Sequence, residues 1–509
     1  MPTGDHNAQP FKTLIAGQLC LSTKIHDAHR ILQTQLKSTT SGTPATSSNR
    51  FQNGMFYAAG YPFSILLQRV GRTSRVLRVM WNTRIEAVTS EVTCPGCGLS
   101  CDDLRLEVQD GRLRSVGNEC ALARAHYASA FDAADRSVEI KGSQASHEEA
   151  LDCAAALLMG ACNPLFAGLA TDVNGMRATL ELADRCGATL DHMNGDGLFR
   201  NTRVVQDSGW FTTTFTEVRN RADLIVLVGT QWIDRFPRLI ERILQPAESL
   251  FSAPDERRFV LLGPWDSARL PPELRALNPQ LIPMQLEQLA DTASLLRGLI
   301  AGRPVNPGAF GNAVGEQLEK LAKELQAARY SVVSWSAAEL TFPHAELTIQ
   351  NLVELVKDLN RSTRSAALPL AGSQADTTSN QVCTWQLGYP LRSGLQRGYP
   401  EHDPVLNRCQ GLLERKEVDL LLWISALSPQ TRPPDTDLPT IVLGHPGMSF
   451  DTPPDVYIPT GIPGVDHPGH WYRSDSVCPL PLGQLRESTL PAVSQVMTAL
   501  NRELQSPTG

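Results

Sequence analysis

The sequence predicts an α/β protein built on mostly parallel sheet, and three observations carry that reading. Short apolar runs such as 165–169, Leu224–Val228 and 420–424 alternate with stretches of helical period, a rhythm that requires right-handed crossovers between parallel strands. Several runs stop at glycine, as at Gly229 and Gly263, where a strand hands over to a loop. No run approaches the eighteen or so apolar residues of a membrane span. With 42% hydrophobic residues and a formal charge of -7, the 509 residues fit neither a nucleic-acid coat nor a disordered tail, and they leave room for about three domains.

Residues 1–80 differ in kind from the rest. Nine Lys or Arg face two acids there, a formal +7 that leaves -14 for the remainder. A Ser/Thr-rich run at 38–48 and the lack of sustained periodicity predict a disordered basic extension, with too little apolar surface to offset the entropy of ordering. A transit peptide shares this composition, but no apolar core with a cleavage site is evident, and a translation start at Met80 is the simpler expectation.

Residues 81–130 read as a cysteine-rich module. Cys94, Cys97, Cys101 and Cys120 stand in the spacing C-x2-C-x3-C-x18-C. Pro95 and Gly96 turn the backbone so that the first two thiols face one centre. Between the third and fourth, Leu104, Leu106 and Val108 alternate with charged residues before Asp110-Gly111, which predicts a β-hairpin returning Cys120 toward the others. Four thiolates suit a four-iron four-sulfur cluster or a structural zinc, or stay reduced without metal; the uneven spacing favours the cluster, because zinc ribbons pair one C-x2-C with a second. Eleven cysteines so unevenly placed indicate a reducing cytoplasm rather than a disulfide scaffold. Cys153, Cys162, Cys186 and Cys383 read as small core residues.

The body divides by length into α/β regions 131–310 and 311–509. Ser146 and Glu149 form a capping-box signature before a helix at 150–159. A buried strand at 165–169, a helix ending at Gly187 and a strand at 188–190 follow. The alternation continues with strand Leu224–Val228, helix 237–244, strand 259–262, helices Leu289–Ile300 and 315–328, strand 331–334 and helix 348–359. Strands at 420–424, 440–443 and 456–458 complete it. Ligands of such sheets bind beyond the carboxyl ends of the strands, here the loops 170–175, 191–201, 229–236 and 461–475. No G-x-G-x-x-G and no Walker sequence occupies them. Asp172, Asn174 and Gly229 stand where a cofactor would be met, although an aspartate in the position of Asp172 more often caps the next helix.

Several segments narrow the reading: FAGLATDVNG from Phe166, RADLIVLVGTQWIDRFPR from Arg221, LNRSTRSAALPLAGS from Leu359, CTWQLGYPLRSGLQRGYPEHDP from Cys383 and IPTGIPGVDHPGHWYRSD from Ile458. With the cysteine cluster, they give a chain that resembles the molybdopterin oxidoreductases, and among them the B subunit of formylmethanofuran dehydrogenase, over residues 92–482. The resemblance implies a molybdopterin-oxidoreductase-like (formate dehydrogenase-like) α/β fold behind an N-terminal cysteine-rich β-hairpin. In the redox form it implies a tungsten or molybdenum pterin that interconverts carbon dioxide and formate beside a 4Fe-4S cluster. The metal-ligating cysteine of that form follows the strand and aspartate corresponding to 188–191, in a Cys-His-Gly sequence. Here the stretch reads DHMNGDGLFRN and holds no cysteine; His192 and Asp196 are harder donors than a thiolate.

The form lacking that cysteine resembles the B subunit of the bacterial formyltransferase/hydrolase complex. That complex moves a formyl group from tetrahydromethanopterin to methanofuran and releases formate during formaldehyde oxidation. The expectation is then a non-redox structural subunit of a multisubunit complex, meeting a methanofuran-type carrier indirectly, with no nucleic acid or membrane partner. The redox subunit is the alternative.

The remaining candidates have plainer readings beside the functional ones. Trp385, Tyr389 and Tyr399 line a carrier channel or anchor turns. Arg392, Arg397 and His402 attract an anionic carrier or are solvated. His467, His470 and Asp475 have the composition of a metal site, yet Pro468 and Gly469 make a turn of them. No complete nucleophile–base pair can be assembled from these motifs.

Overall fold

A computed structural model describes residues 88–133 and 137–505, with four short strands before them, and the chain divides into two units, 1–84 and 85–509. In the first unit Met55–Ala58 pairs with Tyr61–Ser64, and Arg69–Val70 with Ser74–Arg75. The reading of residues 1–80 as a basic extension otherwise lies outside the described residues.

The second unit opens with three antiparallel strands, β1 (Val88–Val92), β2 (Leu104–Gln109) and β3 (Arg112–Gly117). Asp110 and Gly111 turn β2 into β3, both at positive φ as a tight hairpin of this hand requires. Helix α1 (Ala121–Asp132) comes directly after Cys120. Short β4 (Glu139–Ile140) and β5 (Ser143–Gln144) precede α2 (His147–Gly160). The capping box forms: Ser146 Oγ accepts from the Glu149 amide at 3.1 Å, and the Glu149 carboxylate accepts from the Ser146 amide at 2.8 Å. Then come β6 (Pro164–Ala170), α3 (Val173–Cys186), β7 (Thr189–Leu190), α4 (Gly195–Ser208) and α5 (Phe215–Arg221). Strands β8 (Leu224–Val228), β9 (Arg258–Gly263) and β10 (Gln280–Pro283) lead to α6 (Leu289–Ile300), α7 (Asn312–Ala327), β11 (Ser331–Trp335), α8 (Ala345–Leu359) and β12 (Ser365–Pro369). The chain returns through α9 (Asp376–Leu387), β13 (Ser393–Gly394), β14 (Glu401–His402), α10 (Cys409–Arg415), β15 (Leu420–Ser425), β16 (Thr440–Gly444) and β17 (Val456–Pro459). The hairpin of β18 (Gly469–Tyr472) and β19 (Pro479–Leu482), then α11 (Val493–Glu503), complete it.

Two larger sheets result. Nine strands run in the order β14-β13-β7-β6-β15-β16-β17-β4-β5, with β7, β6, β15, β16 and β17 parallel and the flanking strands antiparallel. The second sheet is entirely parallel, β10-β9-β8-β11-β12. Both faces are covered, so the central strands read as unbroken apolar runs. Phe166, Leu422, Ile441 and Val456 face α2, α3 and α11, while Leu165, Leu421, Val442 and Tyr457 face the side of α10. In the second sheet Val226, Val260 and Val333 meet α6, α7 and α8. Its other face, through Ile225, Leu227 and Leu261, shares a core with Leu104, Leu106 and Tyr127 of the cysteine module.

Several expectations are corrected here. The boundary between 131–310 and 311–509 passes through both sheets: β8 pairs with β11, and β6 pairs with β15. The five-stranded sheet is an insertion between two stretches of the nine-stranded one, an arrangement that length alone cannot reveal. The helix expected at 237–244 is instead a four-residue helix at Trp232–Arg235 and a π-turn at Ile240–Leu244. Pro237, lacking an N–H, separates the two. The loop expected at 191–201 becomes the first two turns of α4, and that at 461–475 contains β18.

Candidate functional site

The site begins where backbones approach most closely. Gly98, in the cysteine loop, lies so near residue 371 that a Cβ there would stand 1.9 Å from the Ala371 carbonyl oxygen. Only glycine fits. β18 and the residues after it fasten the same loop: the Ser474 amide donates to the Gly98 carbonyl at 2.8 Å, Ser474 Oγ accepts from the Ala371 amide at 2.8 Å, and Trp471 Nε1 donates to Ser100 Oγ at 3.0 Å.

The four cysteines of the module gather at this point. Cys94 and Cys101 are buried, Cys97 and Cys120 half-buried, and the Cys94 amide donates to the Cys101 carbonyl at 2.8 Å. Burial, and then the neighbouring thiols, push the Cys94 thiol far up; burial first pushes Cys97 to about 11 and Cys101 to about 12. Thiols so placed are poor anions unless a cation takes the charge. Arg238 and Arg242 stand close by, paired with Asp103. Around one zinc, four sulfurs at about 2.3 Å from the ion would lie roughly 3.8 Å apart. Among the described residues no three His, Cys, Asp or Glu side chains converge on a single ion. A multi-iron cluster takes thiolates at its corners and so accepts a wider set.

Beside Cys97 opens a cavity of about 350 Å³, walled by the start of α4 through Asn194, Gly197 and Asn201, by Arg235, and by the loop after β12 through Gln374 and Asp376. A second cavity, of about 460 Å³, lies on the other side of α4 and shares Leu198, Asn201 and Ala371 with it. The wall loop is strained: Gln374 and Ala375 both have positive φ, which costs on the order of 1–2 kcal/mol each. It persists because the Gln374 carbonyl accepts from His192 and Asp376 accepts from the Gly372 amide at 2.7 Å.

His192 lines a third cavity, of about 460 Å³, together with Asp191, Asp196 and Arg392. The Asn194 amide donates to its Nδ1 at 2.9 Å, which places the ring proton on Nε2, and Nε2 donates to the Gln374 carbonyl at 2.9 Å. Burial lowers its pKa, so the ring is neutral with both nitrogens engaged. Asp196 is equally occupied. Arg408 forks onto it with two bonds of 2.9 Å and Arg392 adds a third; burial opposes ionisation, but the guanidiniums outweigh it and hold the carboxyl down to about 2. Asp191, fully buried, accepts from the His192 amide, the Cys409 amide and Arg392, and burial pushes its pKa up.

One thiol does approach this loop, from far along the chain. Cys409 lies beside Asp191, pushed up to about 12 first by burial and then by that carboxylate. It lines the same third cavity as His192 and Asp196, which shares no residue with the cavity beside Cys97. Cys186 sits at the end of α3 against the core of the nine-stranded sheet. Residues 191–201 themselves do not fit a tungsten or molybdenum centre, because they hold no cysteine and His192 and Asp196 are fully engaged.

Other expected candidates take plainer places. Asp172 accepts from the Asn174 and Gly175 amides at 3.2 and 3.0 Å and caps α3; Asn174 is exposed. Gly229, at φ +82°, packs against Glu339, which accepts from the Thr230 and Gln231 amides. Asp172 and Asn174 follow a strand of the nine-stranded sheet and Gly229 one of the five-stranded sheet, and none of the three lines either cavity beside α4. Trp385 packs edge-on against Tyr472 and Tyr389 stacks on His402, and with Tyr399 they remain about half exposed. Arg397 pairs with Glu401, whereas Arg392 is buried between Asp191 and Asp196, not solvated. His467 bonds the Gly461 and Pro468 carbonyls, His470 is exposed, and Asp475 holds Arg473 and the Phe215 amide; the three make no metal site. Sequence reasoning did not single out Asn194, Asn201, Gln374 and Asp376: Asn194 and Gln374 lie in irregular segments, and Asn201 and Asp376 lie near the starts of α4 and α9, which glycines and polar residues disguise as loop.

Fold and site together define a two-sheet parallel α/β subunit with a four-thiol module at the mouth of its cleft. No family model matches the chain. It is 31% identical over 295 residues to the B subunit of the formyltransferase/hydrolase complex Fhc of Methylorubrum extorquens, covering 58% of this chain and 75% of that one. It is 27% identical over 412 residues to the B subunit of the tungsten-containing formylmethanofuran dehydrogenase 2 of Methanocaldococcus jannaschii, covering 77% and 92%. Among solved structures, a chain of the Methylorubrum extorquens complex FhcABCD with methylofuran superposes with a TM-score of 0.63 at 28% identity, over 72% of this chain and 99% of that one. The chain belongs to the family formed by the B subunits of formylmethanofuran dehydrogenase and of the Fhc complex.

Proposed function

We propose that the chain is the B subunit of a formyltransferase/hydrolase-type complex in methanofuran-linked one-carbon metabolism, and that it serves there as a non-redox structural subunit. One observation carries this reading: where the redox form needs a thiolate, residues 191–201 hold no cysteine, and His192 and Asp196 there are fully engaged. The likeness to the Fhc B subunit and to a chain of FhcABCD supports it. The fold is then that of a molybdopterin oxidoreductase whose cleft has been kept without its metal donor. Formyl transfer and hydrolysis belong to the other subunits. No helix among the described residues is long and apolar enough to cross a membrane.

Cys94, Cys97, Cys101 and Cys120 fit a four-iron four-sulfur cluster better than zinc. When bound, it would tie the cysteine loop to α1 and absorb the charge that burial denies the thiolates. The cysteine module is then a cofactor-bearing part of the second unit, sharing a core with its five-stranded sheet.

The purified assembly should release formate from a formylated carrier while containing no tungsten, molybdenum or pterin. Reduction of a viologen dye with formylated carrier as the reductant, together with stoichiometric tungsten or molybdenum, would restore the dehydrogenase reading.

A further inference from the structure

The five-stranded sheet does not end cleanly at β12. Thr212 forms a parallel bridge with Ala367, the Thr213 amide donating to the Ala367 carbonyl at 3.0 Å and the Ala367 amide to the Phe211 carbonyl at 2.7 Å. Residues 211–213 therefore form an added edge. Along a strand, backbone groups point alternately to either side, so the N–H and C=O of Thr212 face away from the sheet. Neither has a partner among the described residues, and Thr212 is exposed.

That open edge lines the second cavity beside α4, of about 460 Å³. Gln206, Asn380 and Gln381 also line it, while its one ionisable side chain, Asp475, is buried and held by Arg473 and the Phe215 amide. Val205, Trp385 and Tyr389, each 40–50% exposed, form or adjoin its rim. A groove offering one strand's free backbone pair, neutral amides to bond a second backbone and an apolar rim suits an extended, uncharged peptide.

We propose that Thr212 receives an extended, uncharged segment of another subunit, added as a strand to the five-stranded sheet. This rests on the chain being part of a larger assembly, and it names where and how a partner attaches. Charged carriers and nucleic acid find no counter-charge in this groove.

Residue-resolved hydrogen exchange, read on the isolated chain and on the purified assembly, tests the proposal. The Thr212 amide should exchange about tenfold more slowly in the assembly, because a paired amide opens only with its strand. Thr212→Pro removes the outward N–H and leaves the Phe211 and Thr213 bonds to Ala367; it should weaken association about tenfold with an unchanged circular dichroism spectrum. Unchanged exchange at Thr212 in an intact assembly overturns the proposal and leaves the reading of the chain as part of a complex standing. Failure of the wild-type chain to assemble overturns both. Protection that rises with concentration in the isolated chain identifies a second copy as the occupant and also overturns the proposal.

Discussion

Arg392 shows how one side chain can hold a region together. It lies between the fully buried Asp191 and the half-exposed Asp196 and also donates to the Pro404 carbonyl at 2.7 Å. Arg392→Met would leave Asp191 buried without its counter-charge, and should destabilise the fold by about 3–5 kcal/mol at pH 7 in urea unfolding. Because burial already raises the Asp191 pKa, lowering the pH should neutralise the carboxyl and narrow that gap. A gap that is the same at pH 7 and pH 5 would count against the assignment. Two histidines give a second pH signature. His126, bonded to the Leu427 backbone, and the fully buried His445 are both pushed down to about 4, first by burial. Each binds a proton more readily unfolded, near pH 6.5, than folded. Their contribution is therefore complete above pH 6.5 and lost as pH falls toward 4, by an amount on the order of 3 kcal/mol for each. A urea midpoint that does not fall between pH 6.5 and 4.5 would contradict this.

At the scale of elements, the question is whether Asp172 caps a helix or meets a ligand. Asp172→Ala should cost about 1–2 kcal/mol by losing the cap of α3, while Asp172→Asn should retain most of it. If Asp172→Asn instead folds normally but abolishes formate release by the assembly, the side chain has a direct role. Elements with strong local signals were legible in the sequence: the capping box at Ser146, the apolar run of β6, the turn at Asp110-Gly111. Helix α4 was not, because Gly195 and Gly197 at its start read as a loop, and its position is fixed by Trp335 Nε1 donating to Asn201 at 3.0 Å and Arg200 donating to the Ala337 carbonyl at 3.0 Å. The short strands β10 and β12 were missed for a related reason: each is defined by its neighbour, not by its own composition.

For the whole molecule, the four-thiol module predicts a measurable composition. The assembly should contain about four irons and equivalent acid-labile sulfide per copy of this chain, Cys97→Ser should lose most of both, and Cys186→Ser should lose neither. Zinc in place of iron would overturn the cluster assignment. The sequence by itself determined the class of fold, the four cysteines and the missing thiol after β7, because apolar period, residue spacing and an absent residue are properties of the chain alone. Only the tertiary structure decided that one sheet is inserted into the other, and that His192 and Asp196 are already engaged by distant partners. Those facts depend on partners 180 or more residues away, such as Gln374 for His192 and Arg408 for Asp196, and no local pattern encodes such pairings.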